Sequence, residues 1–229
     1  MDQSNHCSVP ETQVNTRIMT SEESQPLKIA RIFELQDAVL QKNKEAYIER
    51  YTFIESCLEL TGSINIGESE WRSLSIPQRA VYNLFHGDCF STMANALRIC
   101  LYGCETDACA LMRTVLENLT VFDHINAKGL HSQAYNEIAT NAPKGKPFSK
   151  GLDFSTAIGQ QEHKDRRGKL MGTLSTIGSH LSPTRLGRSR IVIDGRSHVK
   201  PGASIDNPRI NETLGELAAL ALFFVRVVD

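Results

Sequence analysis

A charged pair one helical turn apart is the feature of this sequence best suited to carry chemistry. Arg113 and Glu117 lie four residues apart in an amphipathic segment, and residues at this spacing share one face of an α-helix. An Arg that precedes its Glu is the weaker order for an exposed ion pair. Two interpretations therefore remain open: a solvated polar face, or one wall of a polar cleft that another helix or a second subunit completes.

His180 ends a later predicted helix, directly before Leu181-Ser182-Pro183. A histidine titrates near neutral pH, so it can serve as an acid, a base or a phosphate contact. The alternative is a helix-end histidine that binds the last backbone carbonyls. If His180 converges with Arg113 and Glu117, the ion pair fixes an orientation while the imidazole exchanges a proton. These three residues are the predicted catalytic group.

Positive charge is concentrated in one part of the chain. Between Lys164 and Lys200 there are nine Lys or Arg residues against two acidic ones, a net +7, whereas the whole chain carries −1. This asymmetry is typical of a surface that meets phosphate or nucleic acid, and a solvated loop facing an acidic neighbour explains it equally well. The predicted phosphate- or nucleic-acid-binding residues are Arg166, Arg167, Arg185, Arg188 and Arg190.

Two other constellations carry less weight. Arg79 and His86 have the spacing of an R-x6-H nuclease motif, yet residues seven apart lie about 10 Å apart along a helix. His86, Cys89, Cys100 and Cys104 belong to one predicted uninterrupted helix, which is too long for all four to surround one tetrahedral ion. The sequence predicts no metal and no cofactor, and it contains no Gly-rich phosphate loop, H-E-x-x-H pair or G-x-S-x-G elbow.

Two short motifs resemble those of an uncharacterised family found mainly in bacteria. The first is Ala110-Leu-Met-Arg113-Thr-Val-Leu-Glu117-Asn-Leu119, and the second is Ser175-Thr-Ile-Gly-Ser-His180-Leu-Ser-Pro183. Members of that family are helical, with an R-x-x-x-E helix and a later helix that ends in His followed by Ser or Pro. The family is similar to HEPN-type helical bundles, which usually dimerise. The resemblance runs from about Ala80 to the C-terminus and implies roles for Arg113, Glu117 and His180.

Apolar periodicity predicts the helices that position these groups. We expect a polar arm over residues 1–25 and one domain over residues 26–229. The domain is predicted to be all-α, a helical bundle of about five to six helices with a small β-hairpin or extended loop near residues 190–200. The predicted helices are Pro26–Leu60, Pro77–Tyr102, Glu105–Ile125, His131–Thr140, Phe154–His180 and Arg209–Val228.

The two ends of the sequence suggest a location and an assembly state. Residues 1–25 lack the apolar core of a signal peptide, and Leu214–Val228 is shorter than the roughly 20 residues that span a bilayer. We therefore expect a cytoplasmic protein that does not enter a membrane. The last helix is apolar on nearly all sides, which favours a homodimer.

Two functions are compatible with these features. The first is a HEPN-like helical protein that binds, and in a further step cleaves, RNA or a nucleotide. The second is a non-enzymatic homodimeric interaction or regulatory module, for instance in a defence or toxin–antitoxin system. Whether the chain is catalytic depends on whether Arg113, Glu117 and His180 share one accessible cleft.

Overall fold

A computed structural model describes residues 29–63, 68–159, 164–179, 190–193, 196–199 and 208–228. These residues are predominantly helical, which confirms the all-α class. The predicted polar arm over residues 1–25 lies outside the described residues. The described helices are α1 (Ile29–Ala46), α2 (Ile48–Ser63), α3 (Glu68–Ser73), α4 (Ile76–Leu101), α5 (Glu105–Lys128), α6 (His131–Asn141), α7 (Phe154–Gly159), α8 (Lys164–Leu174) and α9 (Pro208–Val228).

Helix α4 begins where its capping residues predict. The Ser75 hydroxyl accepts a hydrogen bond from the Gln78 backbone N–H at 3.4 Å, and Gln78 Oε1 accepts one from the Ser75 N–H at 2.8 Å. This reciprocal capping box satisfies two donors that a helix start leaves open, and Pro77 occupies the first turn. The helix continues through Gly87 to Leu101 without a break.

The core of the molecule lies between α4, α5 and α9. Helices α4 and α5 form the most extensive pair, and α9 packs against both and against α2. Helix α5 ends at Gly129, whose φ of 65° is the left-handed conformation that favours glycine. Large side chains from all three helices are fully buried where they meet, among them Met93, Leu119, Phe122 and Phe224.

The described part has more helices than the five or six expected. One predicted helix corresponds to α1 and α2, another to α7 and α8 on either side of residues 160–163, which lie outside the described residues, and the short α3 lies between two predicted helices. Tyr47 separates α1 from α2, although backbone hydrogen bonds on both sides of it keep the two nearly continuous. The predicted helix Phe154–His180 consists, where described, of α7, α8 and a π-helical turn, Ser175–Ser179.

A two-stranded ribbon is the only sheet among the described residues. Strands β1 (Arg190–Ile193) and β2 (Arg196–Val199) pair antiparallel, with Arg190 opposite Val199 and Ile193 opposite Arg196. The ribbon falls in the stretch for which the sequence predicts a hairpin or extended loop, between α8 and α9.

Helix α9 is covered mainly on one side. Its large exposed apolar side chain is Leu222, at 56% exposure, and Phe223 is half-buried. No helix in the described part of the chain is long and apolar enough to cross a membrane. The buried residues of α9 are Ile210, Thr213, Leu214, Leu217, Leu220, Ala221, Phe224 and Val228.

Candidate functional site

Arg113 and Glu117 form the ion pair that their spacing predicts. Arg113 Nε donates to Glu117 Oε1 at 2.9 Å on the surface of α5, with 30% and 36% of the two side chains exposed. This bond uses only one of the guanidinium nitrogens. Within the described residues the terminal nitrogens of Arg113 have no protein acceptor, so they are open to an anion in solution.

The polar stripe that continues from this pair along α5 is covered rather than solvated. Thr120 and His124 fall on the same stripe and are buried, and His124 Nε2 lies 3.3 Å from the Gly151 carbonyl oxygen. The cover therefore comes from the same subunit, from the segment just before α7. It closes the stripe at this end and leaves Arg113 and Glu117 half-exposed.

The π-helical turn at the end of α8 approaches the α5 backbone closely. A Cβ atom at Gly178 would lie 2.4 Å from the Ala110 nitrogen and 2.7 Å from the Cys109 carbonyl carbon. Only glycine allows this approach, which occurs one helical turn before Arg113. His180 follows Gly178 by two residues and lies outside the described residues. Its convergence with Arg113 and Glu117 stays a prediction.

The five predicted phosphate-binding arginines are described to different extents. Arg185 and Arg188 lie outside the described residues, and Arg190 is described only by its backbone in β1. Arg166 and Arg167 lie side by side on α8, Arg166 exposed and Arg167 half-buried. The structure thus describes the side chains of two of the five, Arg166 and Arg167.

Arg167 links three helices. Its Nη1 donates to Asp123 Oδ2 of α5 at 3.1 Å, and its guanidinium carbon lies 3.9 Å from the centre of the Phe223 ring of α9. Only 11% of the side chain is exposed. Burial lowers the pKa of Arg167 most; Asp123 raises it, and the positive charge of Arg226 lowers it further.

Arg166, Arg167 and Arg226 line one groove of about 570 Å³ between α5, α8 and α9. We call it the arginine groove. Arg113 and Glu117 are not among its lining residues, so the structure does not bring the ion pair and these arginines into one cleft. The remaining lining residues are apolar: Leu116, Leu170, Ala219, Leu220, Leu222, Phe223 and Val225.

Sequence reasoning missed Arg226 and the apolar walls of the groove. The sequence does contain an indication that Arg226 has a partner or reaches solvent: it is the only charged residue between Leu217 and Val228. A lone cation in such an apolar run has a high cost unless it reaches solvent or a partner. The dense positive charge along the sequence ends at Lys200, so local charge density does not indicate Arg226.

His86 has a structural role that explains why the R-x6-H spacing forms no site. Its ring stacks on Tyr82 with centroids 5.4 Å apart and meets Phe224 at 5.5 Å. Its Nε2 lies 2.9 Å from the Thr61 carbonyl oxygen. These contacts hold α4 against α2 and α9, while Arg79 lies almost two turns away on α4.

The cysteines of α4 behave as core residues. Cys89 and Cys100 are fully buried, and burial raises the pKa of Cys89 to about 12 and raises that of Cys100 further. Both are therefore neutral thiols near neutral pH, whereas metal ligation needs the thiolate. Across the described ranges, no group of three or more His, Cys, Asp or Glu residues is arranged to hold a metal ion.

Comparisons with protein-family models, curated proteins and solved structures found no match to this chain. The resemblance to the uncharacterised bacterial family and to HEPN-type bundles therefore stays an expectation from two short motifs. Because a fold alone does not define a function, the function has to be inferred from the residues of the site.

Proposed function

We propose that this chain binds a phosphorylated ligand, RNA or a nucleotide, in the arginine groove. The observation that carries the proposal is that three arginines line one groove in which no acidic side chain is among the described lining residues. Guanidinium groups bind phosphate oxygens through paired, charge-assisted hydrogen bonds. Several of them around one groove also raise the local concentration of anions.

The three arginines have different roles in this proposal. Arg167 already has a carboxylate partner, Asp123, and little exposed surface. Arg166 and Arg226 are exposed, and the structure gives neither of them an ion-pair partner within the described residues. We therefore assign the direct phosphate contacts to Arg166 and Arg226.

As a further part of the proposal, Arg113 and Glu117, which do not line the arginine groove, act together with His180 in a HEPN-like reaction on the part of the ligand that extends beyond the groove. The contact between Gly178 and Ala110 supports this grouping, because two residues of chain reach at most about 7 Å beyond Gly178. Arg113 lies one helical turn beyond that contact. Its two terminal nitrogens are available for a phosphate during such a step.

Binding measurements test whether the arginine groove takes RNA or a nucleotide. Titration of labelled single-stranded RNA and of nucleotides should give affinities that weaken steeply as salt is added. The double variant Arg166→Gln/Arg226→Gln should lose at least about tenfold in affinity, since two charge-assisted bonds are removed. The matched control is Lys169→Gln, an exposed cation of α8 outside the groove. Equal affinity of the double variant and the wild type would contradict the proposal.

Turnover measurements test whether Arg113, Glu117 and His180 process the ligand. The variant His180→Ala should abolish cleavage of any RNA or nucleotide that the wild type processes and leave binding unchanged, because it removes the proton-exchanging group alone. Product formation by chromatography is the measurement. If the wild type binds ligand and never processes it, the chain is a binding module only.

A second candidate function, a non-enzymatic homodimeric interaction module, is favoured by one specific observation. Leu222 is 56% exposed on the wall of the arginine groove, beside half-buried Phe223. An apolar wall of this kind suits a protein partner as well as a small ligand. In this case the arginines serve at the rim of an interface, where charges set orientation and partner choice.

A further inference from the structure

The arginine groove separates charge from apolar surface. Leu116 and Leu220, each 1% exposed, form its floor, and Leu222 and Phe223 lie on its α9 side. The described lining residues include no Asn, Gln, Ser, Thr, Asp or Glu side chain. The only polar lining side chains are guanidiniums, which donate hydrogen bonds and accept none. A ligand therefore needs an anionic end and a flat or apolar body.

The size of the groove limits the ligand further. Its volume of about 570 Å³ falls within the roughly 300–1,000 Å³ typical of small-molecule sites. Among the phosphorylated ligands of the proposed function, a mononucleotide has this size, with one anionic end and one flat aromatic body. A longer strand needs a series of cations along its path, one for each successive phosphate. The described arginines of this site instead line a single groove.

We infer that the arginine groove takes a single mononucleotide, with its phosphate between Arg166 and Arg226 and its base against Leu222 and Phe223, without selecting among bases. The inference rests on the proposed function and names its ligand class. Bases stack on apolar and aromatic side chains whatever their sequence, because every base has a π-face. Selection among bases needs both hydrogen-bond donors and hydrogen-bond acceptors placed at the base edges. The described lining side chains offer donors only.

Arg167 is a positioning residue in this arrangement. It is bound to Asp123 of α5 and stacked on Phe223 of α9 while belonging to α8, so it fixes the three helices that form the groove. A phosphate contact by Arg167 would require it to leave both partners. The charge repulsion between Arg167 and Arg226, which lowers the pKa of Arg167, is relieved when an anion binds near them.

Calorimetric titration of the full chain tests the ligand class. The probes are AMP, GMP, CMP, UMP, adenosine, inorganic phosphate and a ten-nucleotide oligouridylate. The four monophosphates should bind within about threefold of one another, and adenosine at least about tenfold more weakly than AMP, because it lacks the charge-assisted bonds. Phosphate alone should also bind more weakly than AMP, since it has no base to stack.

The outcomes separate the inference from the proposed function. A preference for one base of more than about thirtyfold, or equal binding of adenosine and AMP, would overturn the inference. If the oligonucleotide binds and the mononucleotides do not, the inference fails and the proposed function stands. If no probe binds, both fail.

The variant Asp123→Asn distinguishes a positioning residue from a contact residue by the sign of its effect. If Arg167 contacted phosphate, loss of its carboxylate partner would free it and tighten AMP binding. As a positioning residue it should instead lose its anchor, and AMP affinity should fall at least about threefold. Circular dichroism at the titration temperature confirms folding. Should Asp123→Asn not fold, Asp123→Glu serves instead, because it keeps the charge and displaces the anchor of Arg167: a positioning role predicts weaker AMP binding, and unchanged affinity overturns that role.

Discussion

Glu137 shows how single carboxylates hold the loops that cover the α5 stripe. Glu137 lies on α6, and its Oε2 accepts a hydrogen bond from the Ser149 backbone N–H at 2.8 Å. Its Oε1 accepts hydrogen bonds from the Ser149 hydroxyl at 2.6 Å and from Gln133 Nε2 at 3.0 Å. The segment fixed in this way leads to Gly151, whose carbonyl contacts His124, and to buried Leu152. A side chain on α6 thus helps to close one end of the stripe that begins at Arg113.

The free energy of unfolding should depend on the charge of Glu137. Burial raises the pKa of this carboxyl, but the hydrogen bonds from Ser149 and Gln133 outweigh it and leave the pKa below its ordinary value. The ionised form therefore stabilises the fold above the unfolded pKa of about 4.3, and this contribution is lost as pH falls through the lower folded value. Glu137→Gln should cost about 0.5–1 kcal/mol at pH 7 and almost nothing at pH 3.

Urea unfolding at the two pH values measures this difference. The control is Glu59→Gln, which changes an exposed carboxylate of α2. Its free energy of unfolding should differ little from that of the wild type at either pH. A cost for Glu137→Gln that is the same at pH 3 and pH 7 would contradict the assigned role.

At the level of residues, the sequence was sufficient for the Arg113–Glu117 pair because its spacing is local. It was not sufficient for Arg226, which lines the same groove as Arg166 and Arg167 because α9 packs on α5 and its Phe223 ring meets Arg167 of α8. That packing depends on contacts between residues more than fifty positions apart. Charge density along the chain does not report such a proximity.

Gly178 illustrates how one position sets the packing of an element. Alanine at this position would push a methyl group into the α5 backbone at Cys109 and Ala110, which has no flexible end to move aside. Gly178→Ala should therefore lower the free energy of unfolding by about 1–3 kcal/mol. The displaced π-helical turn should also weaken any activity that depends on His180.

A second glycine of the same segment provides a matched control. Gly172 lies in α8, and a Cβ atom there would meet nothing within 4 Å. Gly172→Ala should stabilise the protein by up to about 1 kcal/mol, since alanine favours the helix and meets no obstacle. Thermal and urea unfolding of both variants is the measurement. A neutral effect of Gly178→Ala would mean that the turn shifts away from α5 at no cost.

Among the elements, the helices with clear capping residues in the sequence were predictable. Helix α4 has a capping box at Ser75, and α5 ends at a left-handed glycine, so their bounds follow closely from the sequence. The π-helical turn Ser175–Ser179 was not predicted. Its segment is weakly amphipathic and rich in glycine, so tertiary packing decides its local conformation.

For the whole molecule, the all-α class followed from periodicity, and the surroundings of α9 did not. Its sequence is apolar on nearly all sides beyond Leu217, which led us to expect cover from a second subunit. The structure covers one side of α9 within one chain, by packing against α2, α4 and α5. The apolar surface that remains open is the wall of the arginine groove around Leu222.

The homodimer remains our prediction for the assembled protein, with this wall as its interface. Light scattering at micromolar concentration should give the mass of two chains. Leu222→Glu should give one chain, because it places a charge in the apolar contact. The control Leu84→Glu changes a leucine of α4 with similar exposure, 51% against 56%, and should leave the dimer intact. A monomeric wild type would contradict the prediction.

Nucleotide and second subunit then compete for the same wall, since Leu222 lines the arginine groove. A ligand that binds only the free groove shifts the equilibrium by mass action, so saturating AMP should increase the fraction of single chains in light scattering. If AMP binds and the dimer withstands both AMP and Leu222→Glu, the interface lies elsewhere, and the groove serves the ligand alone. If the dimer forms through Leu222 and no nucleotide competes with it, the interaction module is the better description of this protein.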